Sequence, residues 1–319
     1  MKIKVFTHGA DLDGLGCGFL IELSHKDDEV EIQYVNYNDV NVTLYNFLKS
    51  GAVEYYDKVY ITDISISENM CNWIEQSYWH KFKLIDHHIN EGTKHLDNYV
   101  WCIRKGEEDG EIRSATYLVA KHLGILGQYK FIDDVVTHID NYDVYKFKEK
   151  NDLFAKTMSD IFYLIGRERF SDDLWQQFYD GNKCYMMDSK VEFMLQIRQE
   201  EYERHLESAN KYMKRIKWKD YVIGVIFNDK FTSELGNDLC TMNDDIDFIA
   251  MINFKTGISL RGVKDGIHLG EIAKEIGSVF GLSSGGHMKS SGITFNDDIR
   301  NKTILALIKN SELMLDNFF

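Results

Sequence analysis

Strands that alternate with helices through the first half of the chain predict an α/β fold built on a parallel sheet. Three of those strands finish in polar, ligand-capable residues, and the strand pattern restarts after Lys219, beyond a long helix. The sequence therefore predicts a parallel-sheet N-terminal domain (1–187), a linker helix (188–220) and a smaller α/β C-terminal domain (221–319).

Lys2 to Thr7 alternates and is rich in β formers, which makes it the first strand. It runs into a polar turn, His8-Gly9-Ala10-Asp11-Leu12-Asp13-Gly14-Leu15-Gly16-Cys17-Gly18, and then an apolar helix. Glycines at such a turn often admit a dinucleotide pyrophosphate. Here the Gly-x-Gly-x-x-Gly spacing is missing, and Asp11 and Asp13 stand where the pyrophosphate would lie. Carboxylates repel phosphate unless a cation separates them, so the turn suits a divalent metal.

Glu31 to Tyr37 gives a second strand and Val40 to Lys49 a helix. Lys58 to Asp63 is a third strand ending in a carboxylate; Ser65 and Glu68 have capping-box spacing and start a helix through Met70, Trp73 and Ile74. The next strand, Phe82-Lys83-Leu84-Ile85, stops abruptly at Asp86-His87-His88. A buried strand carries no such groups for packing, and side chains at the carboxyl end of a parallel strand face the ligand crevice. An edge strand over Asn98 to Ile103, a helix Ala115 to Leu123 capped by Ser114, and a helix Phe131 to Ile139 lead into Asp140-Asn141-Tyr142-Asp143.

Residues 152–185 are helical and aromatic-rich. From Asp188 a long helix carries Leu195, Tyr202, Leu206, Ala209, Met213 and Ile216 on one stripe, a packing face. Beyond it, Tyr221 to Asn228, Ile246 to Phe254 and Ile258 to Val263 are strands, and Leu269 to Ile276 is a helix. The Ser283 to Gly292 loop has the composition of a phosphate cradle and equally that of a flexible loop.

A net charge of −14 argues against a broad nucleic-acid surface, though not against a small anionic ligand held by metals. The five scattered cysteines, without a Cys-x-x-Cys pair, fit a reduced, cytoplasmic compartment, and no apolar run approaches membrane-spanning length.

Taken together, these motifs resemble those of the DHH phosphoesterase family with its C-terminal DHH-associated domain. The resemblance rests on His8 to Gly14, on Asp63 within Ile61-Thr62-Asp63-Ile64, on Asp86-His87-His88, and on Ser259-Leu260-Arg261 with Gly285-Gly286-His287 through Gly292. It spans most of the chain. The usual Gly-Gly-Gly-His is Ser284-Gly285-Gly286-His287 here. The family's fourth motif falls on either Asp140 or Asp143, with Asp143 favoured for the Val144-Tyr145 that follows it.

The resemblance implies a two-metal site, with Mn2+ as the usual ion and Mg2+ as the alternative. His8, Asp11 and Asp63 would hold one ion, and Asp13, Asp63, His87 and Asp143 the other. Oxygen and imidazole donors suit this choice of metal. His88 would contact the scissile phosphate, Asp86 would orient a neighbouring histidine, and Arg261, Gly285, Gly286 and His287 would bind the nucleotide's terminal phosphate or sugar across an interdomain cleft. The implied activity is phosphodiester hydrolysis of short single-stranded oligonucleotides to mononucleotides, as in the nanoRNases. Alternatives in the same class are a cyclic-dinucleotide phosphodiesterase, a phosphoadenosine-phosphate phosphatase and a RecJ-type DNA exonuclease. Outside the class stands a binding module that kept the fold and lost the reaction; the complete set of ligand types speaks against it. The sequence leaves the oligomeric state open, a homodimer included.

Overall fold

The computed structural model describes residues 1–302 and divides into two compact units, residues 1–195 and a second that begins at Gln196. In the first, β1 (Lys2–His8), α1 (Leu12–Ser24), β2 (Glu29–Val35), α2 (Val40–Lys49), β3 (Lys58–Thr62), α3 (Glu68–Ser77), β4 (Phe82–Asp86) and β5 (Cys102–Arg104) follow one another. A short hairpin of β6 (Glu107–Glu108) and β7 (Glu111–Ile112) comes next. Helices α4 (Ala115–His122), α5 (Lys130–Asp143), α6 (Leu153–Ile165) and α7 (Arg167–Tyr179) complete the unit.

The five-stranded sheet has the order β2-β1-β3-β4-β5 and is parallel throughout. The chain leaves β1 toward one edge and returns to β3 on its other side. Such a reversal opens a crevice at the carboxyl ends of the strands. Both faces of the sheet are covered. Ile3 and Val5 of β1 pack with Leu15, Leu20, Val119, Val136 and Phe170 from the α1, α4, α5 and α7 side, whereas Phe6 packs with Leu44, Ile61, Cys71 and Ile74 on the α2 and α3 side. Two buried faces explain the nearly continuous burial of the inner strands β1, β3 and β4, whereas the edge strand β2 alternates.

Gly14, in the first turn of α1, is needed for contact rather than for a ligand. A Cβ there would stand 2.0 Å from the His8 carbonyl oxygen. The glycine thus lets α1 start directly on the end of β1, which keeps Asp11 and Asp13 at the strand tips.

Several boundaries differ from the sequence expectation. Strand β2 runs two residues earlier, and β4 stops at Asp86, leaving His87 and His88 in the loop beyond. The edge strand is short because residues 91–98 coil as a 3-10 helix. Helix α3 is capped from Ser67, not Ser65, because Ile64 and Ile66 are buried and hold the chain extended before it. Helix α5 continues through Asp143, so Asp140 and Asp143 lie one turn apart on the same helix.

The long helix α8 spans Ser189–Tyr212. Val191 and Leu195 pack on the first unit's core, while Tyr202, Leu206 and Ala209 pack in the second unit's core. The helix is shorter than the 188–220 linker expected, because β8 (Lys214–Trp218) pairs with β9 (Tyr221–Phe227) as an edge strand. Then come α9 (Thr232–Met242), which the sequence reading missed, β10 (Phe248–Asn253), β11 (Gly257–Arg261), α10 (Leu269–Phe280), β12 (Ser284–Gly286) and β13 (Ser290–Thr294). Their mixed sheet has the order β12-β13-β11-β10-β9-β8.

The expected cradle at Ser283 to Gly292 is a hairpin of β12 and β13. Gly286 has φ 143°, and a Cβ on it would meet Ser290 at 2.5 Å, so glycine is required at this corner. The hairpin's carbonyls, those of His287 and Met288, accept from the Gly270 and Leu269 N–H groups that open α10. The helix start is thereby satisfied from within the fold.

All five cysteines are free, and no described helix is long and apolar enough to cross a membrane.

Candidate metal centre

The tips of β1, β3 and β4 bring the first three sequence motifs together. His8 closes β1, and Asp11 caps α1, its side chain accepting from the Gly14 N–H at 3.1 Å. Asp63 follows β3 with φ 55°, a left-handed conformation that aspartate tolerates better than most residues. Its N–H donates to the Ile85 carbonyl, which ties the turn to β4. Asp13 accepts from the Ala115 and Thr116 N–H groups at 2.8 and 2.7 Å, so its carboxylate anchors the start of α4. A carboxylate in this place also meets the positive end of the helix dipole.

Among the described residues, ligand-capable atoms gather in three overlapping sets: His8 with Asp11 and Asp63; Asp13 with His87 and Asp143; and Asp63 with His87 and His88. His8 Nδ1 lies 2.9 Å from Asp11 and 3.6 Å from Asp63. His87 Nε2 lies 3.7, 3.5 and 3.4 Å from oxygens of Asp13, Asp63 and Asp143. One imidazole thus faces three carboxylates, and Asp63 faces both histidines.

These contacts are close without being satisfied. His8 Nδ1, Asp63 Oδ2 and Asp143 Oδ2 are buried and have no aligned hydrogen-bond partner. Buried polar atoms are rarely left so, and each costs about 1–3 kcal/mol when it is. Orphaned atoms converging from several elements mark a place for a bound group, and the oxygen and imidazole donors fit a hard or borderline divalent cation.

The electrostatics agree. Burial alone would depress His8, but Asp11 and Asp63 outweigh it and push its pKa up to about 10. His87 is likewise raised against its burial, by Asp13 and Asp143. Burial, reinforced by the charge of Asp13, pushes Asp63 and Asp143 well above the usual carboxylate range. Asp11 moves down despite its burial, because His8 lies beside it. A pocket whose histidines hold protons while its acids resist losing theirs is short of positive charge.

His88, which belongs to the third set, is also engaged by Asp86. Its Nδ1 lies 2.7 Å from Asp86 Oδ1, and Asp86 also accepts from the His88 N–H. It is half-exposed at the rim, 4.0 Å from Asp63.

No family model matches the chain. Among solved structures, exonuclease RecJ bound to manganese superimposes with a TM-score of 0.60 at 11% identity, covering 94% of this chain and 87% of that one. The DHH domain of a member of the s1p family of ribosomal proteins gives a TM-score of 0.59 at 15% identity, covering 97% and 86%. These likenesses show the fold. The chain is also 30% identical over 304 residues to oligoribonuclease NrnB of Bacillus subtilis, which spans 92% of this chain and 73% of that protein. The chain belongs to the DHH phosphoesterase family.

Of the two aspartates offered for the fourth DHH motif, only Asp143 reaches the cluster. Asp140 is engaged elsewhere: Arg113 Nη1 and the Ser114 N–H donate to its two oxygens, both at 2.7 Å. In the second unit of this DHH protein, Arg261 donates to its own Leu260 carbonyl and to Ser233 Oγ, and no carboxylate pairs with it among the described residues. Gly285, Gly286 and His287 lie on the β12–β13 hairpin, with the His287 N–H donating to the Ser290 carbonyl. Sequence reasoning missed Tyr37, whose hydroxyl lies 3.1 Å from His88 Nε2. A lone tyrosine past a predicted strand gave no signal; only the fold places it here.

Proposed function

We propose that this chain is a metal-dependent phosphodiesterase that hydrolyses short single-stranded oligonucleotides to mononucleotides in the cytoplasm, with Mn2+ as its preferred ion and Mg2+ as the substitute. The observation that carries this reading is the set of buried, unpartnered donors at the strand tips, in a chain related to an oligoribonuclease. His8, Asp11 and Asp63 hold one ion, and Asp13, Asp63, His87 and Asp143 the other. When bound, such a pair supplies an activated water and neutralises charge on the phosphate.

The chain's own residues do the rest. The left-handed turn at Asp63 aims one carboxylate between two imidazoles. Asp86, fully buried, fixes the ring of His88, which presents its other nitrogen to the scissile phosphate. Arg261 and His287, with Gly285 and Gly286, take the terminal phosphate or sugar, since a guanidinium matches phosphate geometry. The acidic chain favours short substrates, because a long single strand needs a basic groove.

The test is hydrolysis, with Mn2+, of RNA and DNA from two to twenty nucleotides, beside cyclic dinucleotides and a 3′,5′-bisphosphate nucleotide. The expected result is the highest kcat/KM on oligonucleotides of two to five. A preference for cyclic dinucleotides, or for the bisphosphate, would replace this reading by one of its rivals.

A further inference from the structure

Tyr37 lies in the turn between β2 and α2, which the Asn36 N–H closes by donating to Asp39 Oδ1 at 2.6 Å and the Val40 N–H by donating to the Asn36 carbonyl at 2.9 Å. The turn carries the tyrosine over the tips of β1 and β4. Its ring centroid is 5.3 Å from that of His8 and 5.8 Å from that of His88, the latter edge-on at 89°. The side chain keeps 47% of its surface exposed, so packing does not account for its position. Its hydroxyl stands 3.1 Å from His88 Nε2 and 3.4 Å from His88 Nδ1, whereas Asp86 contacts Nδ1 alone, at 2.7 Å.

We propose that Tyr37 is a catalytic residue whose hydroxyl donates to the same non-bridging oxygen of the scissile phosphate that His88 contacts. This rests on the assignment of His88 to the phosphate. The geometry follows from two polar atoms 3.1 Å apart at one rim: an oxygen that enters hydrogen-bonding range of Nε2, about 2.7–3.0 Å, can lie within the same range of the phenol. Such an oxygen takes the place of the polar contact that the Tyr37 hydroxyl and the His88 ring make with each other in the free protein. Nucleotides of any sequence and either sugar share that oxygen, so the contact serves the reaction and not the choice of base.

Tyr37→Phe removes the hydroxyl and keeps the ring over both histidines. Its kcat/KM should fall about ten-fold or more, the range for a hydrogen bond to a charged group. The fall should be equal on a dinucleotide and on bis-p-nitrophenyl phosphate. Bound manganese, counted by atomic absorption, should be unchanged, and calorimetry should show weaker binding of a nucleoside monophosphate. In a His88→Ala background the added loss should persist, because Tyr37 makes a contact of its own. Undiminished rates in Tyr37→Phe, a loss confined to the dinucleotide, or a loss that vanishes without His88 would each overturn the proposal. Wild-type rates in His88→Ala with manganese bound would identify the failure as that of the underlying assignment.

Discussion

The strand tips of the first unit and the hairpin of the second carry the two groups of proposed site residues, and they are satisfied in opposite ways. In the first, His8, Asp63 and Asp143 keep buried atoms without partners. In the second, Arg261 bonds to Leu260 and Ser233, and the hairpin's carbonyls complete α10. A fold carries unmet polar groups at a cost, so the first arrangement points to a bound group that repays it. In the second, the hairpin's own bonds are met, while Arg261 is partly buried without a carboxylate partner among the described residues. The contrast predicts that substitutions at the strand tips trade stability against chemistry, while those in the second unit alter binding alone.

The largest expected effect is at Asp63. Asp63→Asn should lower turnover by more than about 100-fold, beyond the 10–100-fold typical of losing an outer-shell partner. The metal-free variant should melt no lower than the wild type, because the asparagine replaces a buried carboxyl that burial and the charge of Asp13 already keep from ionising. A lower melting temperature in the metal-free state would break the contrast.

Next come the two aspartates of α5. Asp143→Asn should cost one bound ion per chain with little change in stability. Asp140→Asn should retain both ions but lose about 1–3 kcal/mol of stability, since it weakens bonds to Arg113 and the Ser114 N–H. Ion counting and denaturant titration separate the two, and the reverse pattern would exchange their roles.

The third effect is on metal affinity. His8 and His87, and the carboxyls of Asp63 and Asp143, are all raised, so the metal-free cluster carries protons that an ion must displace. Affinity for manganese should therefore rise with pH from 6 toward 9, with His8 still competing until about 10. Calorimetry in buffers of different ionisation enthalpy should show proton release on binding. Binding that is independent of pH would contradict the electrostatic picture.

The smallest effect is in the second unit. Arg261→Ala should raise KM for di- to pentanucleotides more than it lowers kcat, and should leave bis-p-nitrophenyl phosphate hydrolysis almost unchanged. Equal loss on both substrates would give Arg261 a role in the fold or the chemistry.

The strand tips were legible because a polar cluster interrupting a buried apolar strand has no packing reason to exist. His8, Asp63 and Asp86 stand out because three strands end in such groups; each alone would also suit a cap or a solvated turn. The inner strands β3 and β4 were legible as apolar runs, and β1 by its β formers, while the edge strands β2 and β5 are only partly buried. For the fourth motif the residues that follow favoured Asp143 over Asp140 but left both open, because the pitch of α5 decides which carboxylate faces His87. The Gly-rich segment was legible only as a composition, because a tight hairpin corner at Gly286 calls for the same glycines as a phosphate cradle. Tyr37 carried no signal at all: its neighbours come from residues 8 and 88, joined only by sheet order.

The central claim is that the unpartnered donors at the strand tips form a two-ion hydrolytic centre. Dialysing the full chain exhaustively against chelator, then adding Mn2+ while counting bound ions and following cleavage of a short oligonucleotide, tests it directly. The chelated protein should show no cleavage, and activity should return as two sites per chain fill. Full activity in the chelated protein, or recovery without bound manganese, would contradict it.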